Sequence, residues 1–155
     1  MSILPSDNSI STIQQTTSSS TTTTDSTALA TFKEYAWDFN NDDFLLKDND
    51  FVILTKNDAL KVWIYKALKT QRYRYLAYSF YYGNEFESLI GQPFSVDTTK
   101  SKLKSLTEQC LLVNKYIKSI DSIDVELDES TLVGSITVTT IYGTLEVNIN
   151  DVLWS

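Results

Sequence analysis

The sequence contains no histidine, a single cysteine and only four glycines among its 155 residues. Histidine is the commonest general base and a frequent metal ligand, so its absence removes the usual catalytic triads and many metal sites. One cysteine cannot complete a zinc site or an internal disulfide. Neither glycine pattern of the phosphate-binding loops occurs. These absences argue against an enzyme and predict no metal and no cofactor.

Long apolar runs are missing as well. No stretch approaches the ~20 apolar residues that cross a bilayer, and residues 1–4 are not followed by the basic and apolar segments of a secretory signal. We therefore expect no membrane contact and no export. The formal net charge of −7 argues against nucleic acid as a partner, because such binding needs a basic surface.

Basic residues are absent from the C-terminal part of the chain. Eleven of the thirteen lie between Lys56 and Lys118, and none follows Lys118. The acidic residues beyond that point are Asp121, Asp124, Glu126, Asp128, Glu129, Glu146 and Asp151. This uneven layout suits head-to-tail or ring contacts between copies, and charges scattered over a solvated surface are the alternative.

The first 31 residues form a low-complexity arm with 17 Ser or Thr and no Lys or Arg. Such a segment cannot bury enough apolar surface to offset the entropy of ordering, so we expect a flexible arm over residues 1–31. Residues 32–155 are rich in aromatic and branched apolar side chains and are expected to form one domain.

The domain starts with strand patterns. Tyr35, Trp37 and Phe39 alternate with polar or small residues, which predicts a half-buried strand. Two apolar runs, 44–46 and 51–54, flank an Asp/Asn-rich turn and indicate a small hairpin.

Apolar residues that recur with a period near 3.6 predict two long helices. The first is predicted from an N-cap at Asn57 to Lys69. Its apolar face consists of Leu60, Trp63, Ile64, Ala67 and Leu68. The second is predicted over residues 98–113 with Asp97 as its cap, and Cys110 on its apolar face is expected to be a buried thiol. Between them we expect an extended segment over residues 70–82 and a short helix over residues 85–90.

In the last third of the chain the spacing of apolar residues changes to a period of 2. Residues 120–127, 132–140 and 144–149 read as three strands of an antiparallel meander. The predicted fold class is α+β: two main helices packed on a small antiparallel sheet with a C-terminal β-meander, preceded by the flexible arm.

Acidic residues supply the one enzymatic alternative, a peptidoglycan-degrading enzyme of the lysozyme type. Glu85 and Glu87 lie two residues apart on a predicted helix and point in different directions. An acid from elsewhere, such as Asp38 or Glu108, would have to complete the pair at about 5–10 Å. We therefore predict no catalytic residue.

A basic and aromatic segment runs from Arg72 to Tyr75. Alternating Arg and Tyr can stack single-stranded nucleic acid. Because Tyr and Arg also dominate protein–protein hot spots and the chain is acidic, Arg72 and Arg74 are predicted to contact a protein partner or to pack internally.

Several stretches resemble the XkdS-type baseplate proteins of Gram-positive myophages and of PBSX-like defective prophage or bacteriocin tails. They are residues 34–39, 59–70, 72–79, 82–85, 89–91, 111–114 and 140–143. The resemblance covers about residues 32–147. More distantly, the order of elements is similar to the lysozyme-like baseplate wedge family that initiates the contractile sheath.

This resemblance implies a structural role and no enzyme. The chain would lie in the baseplate of a virion or tail particle, assembled in the bacterial cytoplasm. It would link the baseplate wedge to the first sheath ring and initiate sheath assembly, in six copies per baseplate. The implied partners are the sheath protein, the wedge proteins and the tail tube or hub proteins.

The resemblance also implies a docking turn on the wedge. In the wider family a Glu-Pro-Arg motif follows the second long helix, and the matching place here holds Asn114, Lys115 and Tyr116. All three residues differ from the motif, which puts the chemistry of that contact in doubt.

A free strand edge would explain the sheath contact, since an edge accepts a strand from a partner. The residues predicted for this edge are Ile136, Val138, Leu145, Val147 and Ile149. The alternative is that the meander merely covers the helices.

Overall fold

The structure, a computed structural model, describes residues 28–128 and 131–153. The described part is α+β, as predicted. In chain order it contains β1 (Lys33–Tyr35), β2 (Trp37–Asp38), β3 (Asp43–Phe44), β4 (Leu46–Lys47), β5 (Asp50–Phe51), β6 (Ile53–Thr55), α1 (Lys56–Lys69), a 3-10 helix (Phe86–Leu89), α2 (Val96–Leu111), β7 (Ile117–Asp128), β8 (Thr131–Thr140) and β9 (Gly143–Leu153). Most of the predicted arm, residues 1–27, lies outside the described residues.

The first six strands form three short antiparallel pairs that meet at one point. β1 pairs with β6, β2 with β3, and β4 with β5. At the junction the Ala36 N–H donates to the Val52 carbonyl (2.7 Å), and the Leu45 N–H donates to the Ala36 carbonyl (2.9 Å). The predicted hairpin is therefore present as β4 and β5.

Burial in the first strand differs from the prediction. The strand over residues 35–39 exists as β1 and β2, but its fully buried residue is Ala36, at the junction. Tyr35 and Phe39 are exposed. Of the three alternating aromatic residues, Trp37 is partly buried against the core, so alternation identified the strand and one of its core-facing side chains.

α1 occupies the predicted range and begins at a different cap. Its N-cap is Thr55, which corrects the assignment to Asn57. Asn57 lies in the first turn, where its Oδ1 accepts a hydrogen bond from Thr140 Oγ1 (2.7 Å). Its side chain therefore ties α1 to the end of β8.

α2 starts at Val96, two residues before the predicted start. Ser95 is the N-cap, and its Oγ accepts a hydrogen bond from the Thr98 N–H (3.3 Å). Asp97, the predicted cap, lies in the first turn instead. Neither this helix nor α1 has the length and apolar character needed to span a membrane.

The segment between the helices is not extended, contrary to the prediction. Residues 73–82 form successive turns, closed for example by the Tyr78 N–H to the Tyr75 carbonyl (3.3 Å) and the Tyr82 N–H to the Ser79 carbonyl (3.0 Å). The predicted short helix is a 3-10 helix, followed by Gly91 in a left-handed conformation (φ 73°).

β7, β8 and β9 form the predicted antiparallel meander, in the order β7-β8-β9. One face of this sheet packs against both helices. The side chains of that core include Ile64, Leu68, Leu103, Cys110, Ile136, Val138, Val147 and Ile149. The opposite face carries mostly Ser, Thr and acidic residues, because polar side chains alternate with the buried ones.

Candidate functional site

β9 is an edge strand, since β8 lies between it and β7. Because the connection 141–142 has two residues, Thr140 and Gly143 form a hydrogen-bonded pair. Along the register from this pair, non-hydrogen-bonded and hydrogen-bonded pairs of residues alternate. Residues 145, 147 and 149 therefore direct their backbone groups to β8. Residues 144, 146 and 148 direct theirs to the outer edge, where no strand pairs among the described residues.

The side chains of β9 divide in the same alternating way. Val147 and Ile149 are buried and Leu145 is partly buried, all against the helices. Thr144, Glu146 and Asn148 are exposed. A strand added to this edge would thus extend a sheet that has one face buried against the helices.

Ile136 and Val138 do not belong to any edge. They lie on β8, the central strand, whose backbone groups pair on both sides. Both side chains are fully buried. Assigning them to a sheath-binding edge was wrong, because the sequence pattern of a central strand and of an edge strand with one buried face is the same.

The turn predicted to dock on the wedge is largely used within the molecule. Asn114 is buried, and its Oδ1 accepts a hydrogen bond from the Tyr116 N–H (3.0 Å). The Tyr116 hydroxyl donates to the Ala30 carbonyl (2.8 Å), and its ring lies 4.9 Å from that of Phe32. Lys115 is the exposed side chain of the three.

Arg72 packs internally, one of the two roles expected for it. Its Nη1 lies 2.8 Å from Glu85 Oε1, and its Nη2 donates to the Gly83 carbonyl (3.2 Å). Arg74 is exposed, with Nη1 3.4 Å from Gln71 Oε1. The two arginines therefore have different roles.

An exposed aromatic patch was missed by the sequence analysis. The rings of Tyr35, Phe44 and Phe51 lie 5.4–6.2 Å from one another, and each is 40–53% exposed. The same alternation that predicts a strand suggested that such side chains were buried. Tyr35 lies in β1, Phe44 in β3 and Phe51 in β5, and each of these strands is only two or three residues long.

Two of the acidic residues considered for catalysis have partners of another kind. Glu85 is engaged with Arg72. Asp38 closes a turn by accepting hydrogen bonds from the Asn40 and Asn41 N–H groups and the Asn41 side chain, and these bonds hold the pKa of its carboxyl below the ordinary value. Across residues 28–128 and 131–153, no cluster of three or more His, Cys, Asp or Glu side chains could hold a metal.

Cys110 is fully buried, as predicted, with its Sγ 3.6 Å from the Ala67 carbonyl. Burial raises the pKa of this thiol to about 12, because the thiolate would lose its hydration. It is therefore a core residue and not a nucleophile.

Comparison with known proteins agrees with the resemblance seen in the sequence. The family model described as contractile injection system sheath initiator matches residues 33–143. The phage-like element PBSX protein XkdS of Bacillus subtilis (strain 168) is 27% identical over 124 residues, which are 79% of this chain and 84% of that protein. The family model covers more than half of the chain and spans the helices, β7, β8 and the turn into β9. The protein therefore belongs to the contractile injection system sheath initiator family and is a structural component of a contractile, phage-type tail.

Proposed function

We propose that the protein links the baseplate wedge to the first sheath ring and initiates sheath assembly, without catalysing a reaction. The observation that carries this proposal is the outer edge of β9 in a chain of the sheath initiator family. An unpaired edge is a template for another strand, and the initiation of a sheath by this family makes a sheath subunit the partner that we propose.

The chemistry of the contact is backbone pairing. The N–H and C=O groups of residues 144, 146 and 148 point to the outer edge, so an incoming strand would pair with them. The apolar side chains of that strand would lie next to Leu145, Val147 and Ile149 on the dry face. Backbone bonds supply the affinity, and the buried face selects one register.

The wedge contact is proposed at the turn between α2 and β7. Lys115 is the exposed residue there and would provide a charged contact, while Asn114 and Tyr116 hold the turn in shape. We further propose six copies per baseplate, contact with the tube or hub, and assembly in the bacterial cytoplasm before particle release.

Electron microscopy of particles from cells that produce the tail genes tests this proposal. Deleting this gene should leave baseplates and bare tubes without sheath, and the wild-type gene should restore sheathed tails. Lys115→Glu should yield a folded protein that is depleted from purified baseplates. Lys118→Glu, an exposed charge reversal three residues further on, should be retained. Normal sheaths in the deletion strain would refute the initiating role.

A further inference from the structure

A loop between α1 and the 3-10 helix presents an unusual aromatic surface. Its apolar side chains are between 51% and 104% exposed, namely Tyr73, Tyr75, Leu76, Tyr78, Phe80 and Tyr81. Contiguous exposed apolar surface of this kind marks interaction sites, and Tyr and Arg are the residues that most often dominate them.

The base of this aromatic loop is tightly held. Asn84 is fully buried, and its Nδ2 donates to the carbonyls of Leu68 (2.6 Å) and Thr70 (2.8 Å). Gly83 has φ 99°, and a Cβ there would lie 2.6 Å from the Thr70 carbonyl oxygen. With the Arg72 bonds to Glu85 and Gly83, these contacts close the two ends of the loop onto each other.

A series of aromatic ring contacts, two of them edge-on and one tilted, runs from α1 into the loop. The ring of Trp63 lies 5.8 Å from Tyr82, Tyr82 lies 4.8 Å from Tyr78, and Tyr78 lies 6.0 Å from Tyr75. The exposed rings of Tyr75 and Tyr78 are thus connected to Trp63 of α1 by ring contacts.

The aromatic loop carries positive charge and no negative charge. No acidic residue lies between Asp58 and Glu85, and the loop itself carries Arg74. Its exposed hydrogen-bonding groups are the tyrosine hydroxyls, which can donate and accept, and the Arg74 guanidinium, which only donates. The complementary surface would be acidic and rich in oxygen acceptors.

The outer face of the β7-β8-β9 sheet has this composition. In register across the strands, Asp124, Ser135 and Asn148 form one row, and Ser122, Thr137 and Glu146 form the next. Glu126 on this face forms an ion pair with Lys100 of α2 (2.8 Å), whereas among the described residues Asp124 and Glu146 form no salt bridge. The face lies on the side of the sheet away from the helices.

We propose that the aromatic loop of one copy docks on the outer sheet face of a second copy of this chain. Because the two surfaces differ, the contact is head to tail, and the six copies proposed for the baseplate would close it into a ring. The contact deepens the proposed function by joining the copies around the baseplate. It uses neither the β9 edge nor the 114–116 turn, so it can fail while sheath initiation stands.

Photo-crosslinking in assembled particles tests this contact. The photoreactive p-benzoylphenylalanine replaces Tyr81, an exposed aromatic residue, in the full chain, and purified sheathed particles are irradiated. We expect an adduct of two copies on a denaturing gel, with the linked peptide inside residues 117–149. Adding Asp124→Lys should lower the adduct yield about tenfold, because it places two cations together.

The matched control carries the same probe at Phe51, in the exposed aromatic patch. It should give no adduct with residues 117–149 of another copy. If the Tyr81 probe links to a different protein, or gives no adduct between copies in sheathed particles, the ring contact is refuted and the initiating role is untouched. Particles that form sheath without this protein would instead refute the proposed function.

Discussion

At the residue scale, one glycine decides whether β7 and β8 can pair. Gly134 has φ 141°, and a Cβ at this position would lie 2.0 Å from the Asp124 carbonyl oxygen and 2.7 Å from the Val125 Cα. These are backbone atoms of the neighbouring strand and cannot rotate away. A side chain would therefore separate the two strands.

Gly134→Ala is expected to lower the free energy of unfolding by about 2–4 kcal/mol, from overpacking together with backbone strain. Urea unfolding followed by circular dichroism measures the loss as a lower midpoint. Gly143→Ala is the matched control, because Gly143 also has positive φ (117°) but open space around its Cβ position. Equal losses in the two variants would show that conformation, and not the close approach, controls this position.

Residue-level roles were the least predictable from sequence. The burial of Cys110 followed from its place on an apolar helix face. The internal role of Arg72 was foreseen as an alternative, but its pairing with Glu85 joins residues 13 positions apart and depends on the turns of the aromatic loop. Such pairings cannot be read from local pattern.

At the element scale, α2 tests how well a cap can be assigned from sequence. Asp97 and Ser95 are both good N-cap residue types, and only the backbone hydrogen bond to Thr98 distinguishes them. Ser95→Ala should therefore cost about 1 kcal/mol of stability. Asp97→Ala should cost less, since it removes only a favourable charge in the first turn.

Thermal unfolding of the two variants beside wild type checks this order. The reverse order, with Asp97→Ala the more destabilising, would mean that the helix starts where the sequence pattern suggested.

Periodicity predicted both helices and all three strands of the meander, because each buries one face along many residues. It failed over residues 70–82, which are turns. There the aromatic side chains face solvent and one another, so apolar spacing carries no information about the backbone.

At the scale of the whole molecule, a layer of helices packs on one face of the three-stranded sheet. The helices cover one face of the sheet, and the polar face and the β9 edge are left for partners. A meander was predictable from the sequence. In a meander of three strands the middle strand is central, so Ile136 and Val138 on β8 cannot belong to an edge.

The outward groups of β9 permit a direct test of strand addition. The N–H of Glu146 points to the outer edge, so Glu146→Pro removes a donor for a partner strand and none for β8. Glu146→Ala is the matched control, because it removes the same exposed side chain and keeps the N–H. Circular dichroism should show that both variants fold.

The decisive measurement is electron microscopy of tails from cells in which each variant replaces the wild type. Our account predicts sheathed, contractile tails with Glu146→Ala, and baseplates with bare tubes with Glu146→Pro. Sheathed tails from a folded Glu146→Pro protein would contradict it, because the sheath would then assemble without pairing to the edge of β9.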